Sequence, residues 1–328
     1  MATHFSALGG DGPKLLAIGW TVFGVGTIST VLRYFVASRI DGRWRWDFIW
    51  AALATFITLG SVINFTLAIL NGVGNDVKNV TLTNVFNAIF YVRMTVYFGL
   101  VGITAAKFSV IALLIQIEGP LIRRRRTALF IIAAFFSIVN LIYIPIAATE
   151  CVPYNKLWYR YLPGSCPREQ FVDSLGKFQG YTSSVTDLIL ALWPISIVRH
   201  LSHPLPVKIK ICLLMGAGTL PGLISIIRTT VIPTNKVVTS NVTRAYSDFL
   251  MYCSLELGLV FILTSIPVLR PLYKRIWEKV KHSLSPKSAG QDEHGSKDSV
   301  VVMVHRMDLA SKGPRSDYHQ ASDDSISH

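Results

Sequence analysis

The sequence predicts an all-α membrane protein, a bundle of seven transmembrane helices with its N-terminus outside and its C-terminus in the cytoplasm. Three observations carry that reading. Hydrophobic residues make up 51% of the 328 residues and charged residues only 16%, against roughly a quarter charged in a soluble domain. The apolar residues fall in long blocks, several reaching the roughly 20 residues that an α-helix needs to cross a bilayer. Lysine and arginine are shared unequally between alternate connections, and positively charged connections stay in the cytoplasm.

The blocks run over 15–38, 48–70, 85–117, 127–149, 177–198, 211–232 and 247–269. All exceed the roughly ten residues of a barrel strand, and lipid tolerates only helices or closed barrels because every backbone group must be satisfied internally. The first block is longer than the core of a signal peptide and only Lys14 precedes it, so it is expected to remain as a helix. Residues 1–14 form a short extracellular segment, 15–275 the seven-helix domain, and 276–328 a cytoplasmic tail. That tail is rich in Ser, Asp and Lys and poor in aromatics, a composition expected to be disordered.

Orientation follows from the connections. One set holds Arg39, Arg43 and Arg45, then Arg123 to Arg126, then Arg199, Lys208 and Lys210, then five basic residues from Arg270 to Lys281. The opposite set holds Lys14, Lys78, Lys156, Arg160, Arg168, Lys177, Lys236 and Arg244. The first set is nearly twice the second, and this distribution reads the net charge of +13 as topology and excludes nucleic acid as a partner. Two features independent of charge agree. Asn79-Val80-Thr81 and Asn241-Val242-Thr243 are glycosylation sequons placed outside. Cys151 and Cys166 share the longest outer connection, where oxidising conditions permit a disulfide. Cys212 and Cys253 lie within spans as small apolar packers.

Charged residues inside spans are expensive and usually face a partner or a wet cavity. At 1.5 Å per residue, Asp187 lies roughly 15 Å below the outer end of the fifth block and Glu256 roughly 13 Å below that of the seventh. The two share a depth near the midplane. Arg93 on the third block and Arg228 on the sixth lie in the outer half, so two cations and two carboxylates are expected to line one pocket, with Asp187 and Glu256 as candidate catalytic groups. Arg33, Asp47 and Lys107 make a second, inner layer that ties helix ends together. The plainer reading of both layers, strongest for the inner one, is paired charges that fix helix register or basic side chains that snorkel to the interface.

Pro145, Pro194, Pro221 and Pro267 fall within spans and each removes a helix hydrogen bond. Gly218 and Gly222 give the sixth span a small-xxx-small face suited to close packing. Gly24-Val25-Gly26 lies within a span, not after a strand, and reads as packing rather than a dinucleotide motif. His200 and His203 have no further ligand near them in sequence, so no metal is expected. The seventh span has no lysine for a retinal Schiff base and Lys107 sits on the third; no cofactor is expected.

An ordered set of short motifs resembles the fungal rhodopsin-domain membrane proteins, which are similar to fungal pathogenicity receptors and to integral membrane proteins encoded beside secondary-metabolite genes. It comprises Leu32-Arg33-Tyr34, Lys107-Phe108-Ser109-Val110, Cys151-Val152-Pro153 with Trp158 and Gly164-Ser165-Cys166, Asp187 before Pro194, Ile226-Ile227-Arg228, Glu256, and Pro267 to Leu272. The resemblance departs at Trp46-Asp47, Ser183 and Tyr252, where the family more often has Asp, Asn and Trp. It implies a multi-pass protein of the plasma membrane or an endomembrane, receptor-like, sensing a small or lipophilic ligand and engaging a cytoplasmic signalling partner. The alternative it implies is a membrane-embedded enzyme or an accessory or transport protein acting on a biosynthetic intermediate.

Overall fold

The long apolar blocks satisfy their backbone groups internally as helices. The computed structural model describes residues 9–38, 46–118, 123–198, 217–232, 235–268 and 277. Among these lie seven α-helices: α1 (Gly12–Val36), α2 (Trp46–Leu70), α3 (Leu82–Glu118), α4 (Arg123–Ala148), α5 (Glu169–Val198), α6 (Leu220–Thr230) and α7 (Asn235–Val268). No strand occurs among the described residues, only an isolated bridge between Val152 and Ser165. The tail expected from 276 onward, His200, His203 and Cys212 lie outside the described residues, apart from Trp277.

Among the described residues five helices are long and apolar enough to cross a membrane: α1, α2, α3, α4 and the 243–266 part of α7. The chain is therefore a multi-pass membrane protein. α5 carries Gln179, Thr182, Ser183, Ser184, Thr186 and Asp187, and all six are buried inside the bundle. Its polar face points to its neighbours while Phe178, Tyr181, Val185 and Ile189 point outward. The same outward apolar belt continues over Ile28, Phe56 and Leu141. A surface of that kind suits hydrocarbon, not water.

Each helix packs on the next in chain order and α7 closes the ring on α1, while α3 sits inside and touches α2, α4, α5 and α7. Lipid tails are as apolar as leucine, so close backbone approach and interhelical hydrogen bonds drive this packing more than the hydrophobic effect. Glycines supply the approach. A Cβ at Gly102 would lie 3.0 Å from Thr58 Oγ1 across the α2–α3 seam, and one at Gly26 would lie 3.5 Å from Phe261 of α7. Gly218 and Gly222 face Ala191 and Leu188 of α5, the packing role their spacing suggested. Pro221 opens α6 at its first turn, and Pro145 lies inside α4.

At Gly180 an added Cβ would meet Thr229 of α6, with Cγ2 only 2.9 Å away. Gly180→Leu is expected to force α5 and α6 apart and cost about 1–3 kcal/mol, as overpacked sites do. Gly24, where a Cβ meets nothing within 4 Å, supplies the control. Melting temperatures of the detergent-solubilised variants should fall for Gly180→Leu and hold for Gly24→Ala.

One end of the bundle gathers the start of α1, the α2–α3 connection, the α4–α5 connection and the start of α7. Asp11 N donates to Gly74 O at 3.0 Å, and Thr243 Oγ1 donates to Asn75 O at 2.6 Å. The disulfide Cys151–Cys166 closes the α4–α5 loop. Gly164, at φ +149°, lies so close to Val152 that a Cβ has no room. Lys156 Nζ donates to the carbonyls of Leu162 and Gly164 at 2.9 and 2.7 Å. The loop sits on the N-terminal half of α3 through aromatic contacts, Phe86 on Tyr161 at 5.1 Å and Phe90 on Trp158 at 5.1 Å between ring centroids.

Candidate functional site

Four charged residues meet inside the bundle, and they are not the four that depth counting selected. Lys107 of α3 lies 3.1 Å from Asp187 Oδ1 of α5. Arg228 of α6 places Nε 2.9 Å from Glu256 Oε2 of α7. All four side chains are at least nine-tenths buried. Ser183 joins the pairs: its Oγ donates to Glu256 Oε1 at 3.3 Å and accepts from Lys107 Nζ at 2.9 Å. Lys107 Nζ also donates to Ser183 O and Thr186 Oγ1, each at 2.8 Å, and sits 4.0 Å from the centroid of the Phe136 ring. The result is a chain of contacts, Arg228 to Glu256 to Ser183 to Lys107 to Asp187, that ties α3, α5, α6 and α7 and sums to zero charge.

Two expected placements change. Lys107 does not belong with Arg33 and Asp47 in the inner layer, because Asp187 holds it. The apolar blocks misjudged depth. α5 begins at Glu169, eight residues before Lys177, and those residues lower Asp187 by roughly 12 Å relative to the helix start. Arg93 does not reach Asp187 or Glu256 either. Its Nη1 pairs with Glu150 Oε2 at 3.0 Å, beside the disulfide loop. Arg33 and Asp47 do share a layer: Arg33 donates to Ser109 at 3.0 Å and to Ser265 at 3.1 Å, and Ser109 Oγ donates to Asp47 O at 2.8 Å.

The sequons also separate. Asn79 ends an exposed 3-10 turn, Val77–Asn79. Asn241 lies within α7 rather than in a connection, and the hydroxyl of its partner Thr243 is engaged with Asn75 O. No group of His, Cys, Asp and Glu among the described residues is placed to hold a metal.

Beside the charge cluster a cavity opens between α1, α2, α3 and α7, with about 70 Å³ of space for water-sized occupants. A water needs roughly 10–15 Å³ by that measure, so a few waters or one small chemical group fit. Glu256 and Arg228 line it; Lys107 and Asp187 do not. The rest of the wall is apolar, including Val22, Phe65, Val96, Leu100 and Phe261, with hydroxyls from Thr27, Thr55, Thr58, Ser61, Thr95 and Ser254. Sequence reasoning named Ser183 only as a departure from the family pattern and missed Thr186 and these hydroxyls. Serine and threonine are common in membrane helices, where they bond their own backbone, so nothing in their spacing marked them.

No solved structure matches this chain. The "Wortmanamides biosynthesis cluster protein C" of Talaromyces wortmannii is 21% identical over 269 residues, covering 79% of this chain and 70% of that protein. A family model for the fungal rhodopsin domain matches residues 32–275. That match takes in α2 to α7, the buried charge cluster and the disulfide loop, and this chain belongs to the fungal rhodopsin domain family.

Proposed function

We propose that this protein is a receptor-like membrane protein that binds a small lipophilic molecule in the cavity between α1, α2, α3 and α7 and senses it through Glu256 and Arg228. The observation that carries the reading is a buried ion pair on the wall of an otherwise apolar cavity, connected through Ser183 to a second pair on other helices. Burying four charges stabilises a fold poorly compared with apolar packing. A ligand that changes the Arg228–Glu256 contact biases four helices together, and packed helices respond by discrete shifts. The signal would reach a cytoplasmic partner through the basic inner connections.

In this reading all seven helices span the membrane, with the N-terminus and the disulfide loop outside. A protease-sensitive tag on the C-terminus should survive in intact cells and be cut only after permeabilisation; digestion in intact cells sinks the orientation. Asn79, exposed on the outer end, is the glycan site, so Asn79→Gln should remove a glycosidase-sensitive mobility shift that Asn241→Gln leaves in place.

A second reading is favoured by the relative whose name places it in a biosynthesis cluster: an enzyme or accessory protein working on a lipophilic intermediate. Glu256 is then the group that moves a proton at the cavity wall. Asp187 does not line that cavity, so the two carboxylates do not face one substrate as an acid and base would, and the sensing reading fits better. Deletion of the gene with metabolite profiling separates them. Loss of one product with accumulation of its precursor supports biosynthesis, whereas an unchanged pathway with a lost response to added compound supports sensing.

A further inference from the structure

We infer that the group the cavity receives is electrically neutral, a single hydroxyl or amide facing the wall formed by Arg228 and the threonines, carried on an apolar body that continues outside the cavity. This deepens the sensing proposal and rests on its cavity.

Charge comes first. Lys107, Asp187, Arg228 and Glu256 already neutralise one another in two close pairs. An ionised ligand beside them would bring a charge with no counter-ion into a low-dielectric site, which is costly for either sign. A carboxylate would also approach the carboxylate of Glu256. The ligand that enters without that penalty is neutral.

Hydrogen-bond polarity comes second. Five of the six lining hydroxyls, all but that of Ser254, have already committed their protons. Thr27, Thr55, Thr58 and Thr95 donate to the carbonyls of Phe23, Ala51, Ala54 and Tyr91 at 2.9, 2.9, 2.7 and 2.8 Å, and Ser61 donates across to Thr95 O at 2.9 Å. What these groups have left to offer is lone pairs, because a hydroxyl has one donor and two acceptor positions. The wall therefore asks the ligand for a donor. Arg228 asks for the opposite: its Nη2 is buried and has no hydrogen-bond acceptor among the described residues. An alcohol or amide supplies both functions from one small group. An alkane supplies neither, and an ester or ketone only the acceptor.

Close fitting comes third. A Cβ at Gly99, which lines the cavity, would meet only Ser61 Oγ at 3.5 Å. The helix has room for a side chain there, and that side chain would take up space the ligand needs.

The test uses the full-length chain in lipid nanodiscs at equal bilayer mole fractions of four probes: hexadecanol, hexadecanamide, hexadecanoate and hexadecane. The alcohol and amide should raise the melting temperature saturably, with the carboxylate and alkane inert. The rise should be at least halved by Thr58→Val, which removes one acceptor without breaking an interhelical bond, and lost in Gly99→Val, which fills the space. Equal stabilisation by carboxylate or alkane, or full retention in Thr58→Val, overturns the inference and leaves the cavity reading standing. Stabilisation by none of the four, or stabilisation that survives Gly99→Val, overturns the cavity reading and this inference with it.

Discussion

Lys107→Met is expected to lower folded yield severely, and Lys107→Met with Asp187→Leu to recover most of it. The single substitution removes the ammonium that Asp187 Oδ1 meets at 3.1 Å and withdraws the donor from Ser183 O, Ser183 Oγ and Thr186 Oγ1. Asp187 is then a buried carboxylate without its cation, and removing one partner of a buried pair costs about 3–5 kcal/mol. The double variant replaces the pair by apolar groups of similar size, which in other buried pairs has been neutral or stabilising. The two Ser183 and Thr186 acceptors are not stranded, because Thr186 Oγ1 keeps its own bond to Ser183 O at 2.7 Å. Fluorescence-detected size-exclusion of tagged protein, beside a melting curve in detergent, measures both variants. A double variant as poorly folded as the single would mean that Lys107 holds the helices through its hydrogen bonds rather than by compensating Asp187.

The second large effect is expected at the cavity wall. Glu256→Gln alone leaves the Arg228 guanidinium without its counter-charge, so it should lose abundance and function together. Glu256→Gln combined with Arg228→Gln keeps the site neutral and still able to hydrogen-bond, and it should reach the membrane at near-normal levels while the cellular response is lost. With ligand recognition on these two side chains, the half-effective concentration should rise by two to three orders of magnitude, the loss that about 3–4 kcal/mol of binding energy corresponds to. One blot beside one dose–response assay reads both quantities. An abundant double variant with an unchanged response removes Glu256 and Arg228 from recognition, and function would then have to lie in the inner connections.

Composition and block length, read from the sequence alone, established a helical multi-pass membrane protein, because lipid admits so few backbone solutions that a long apolar run has one structural meaning. The disulfide was legible for a similar reason: Cys151 and Cys166 lie in one connection, and the bond needs no knowledge of how helices pack. The inward charges were legible as a set. Arg33, Asp47, Lys107, Asp187, Arg228 and Glu256 all prove buried, since an ionised group in a membrane helix has few other places to go. Their partners were not legible. Which cation meets which carboxylate depends on where each helix begins beyond its apolar block, and Glu169, well before Lys177, starts α5; polar residues at a helix end extend it without changing its hydropathy signature. Tertiary structure alone sent Arg93 to Glu150 and Lys107 to Asp187. It also chose Ser183 as the link to Glu256 and opened the cavity at Gly26, Gly99 and Gly258. A void between helices is the difference between two surfaces, and neither surface is written in one segment of the chain.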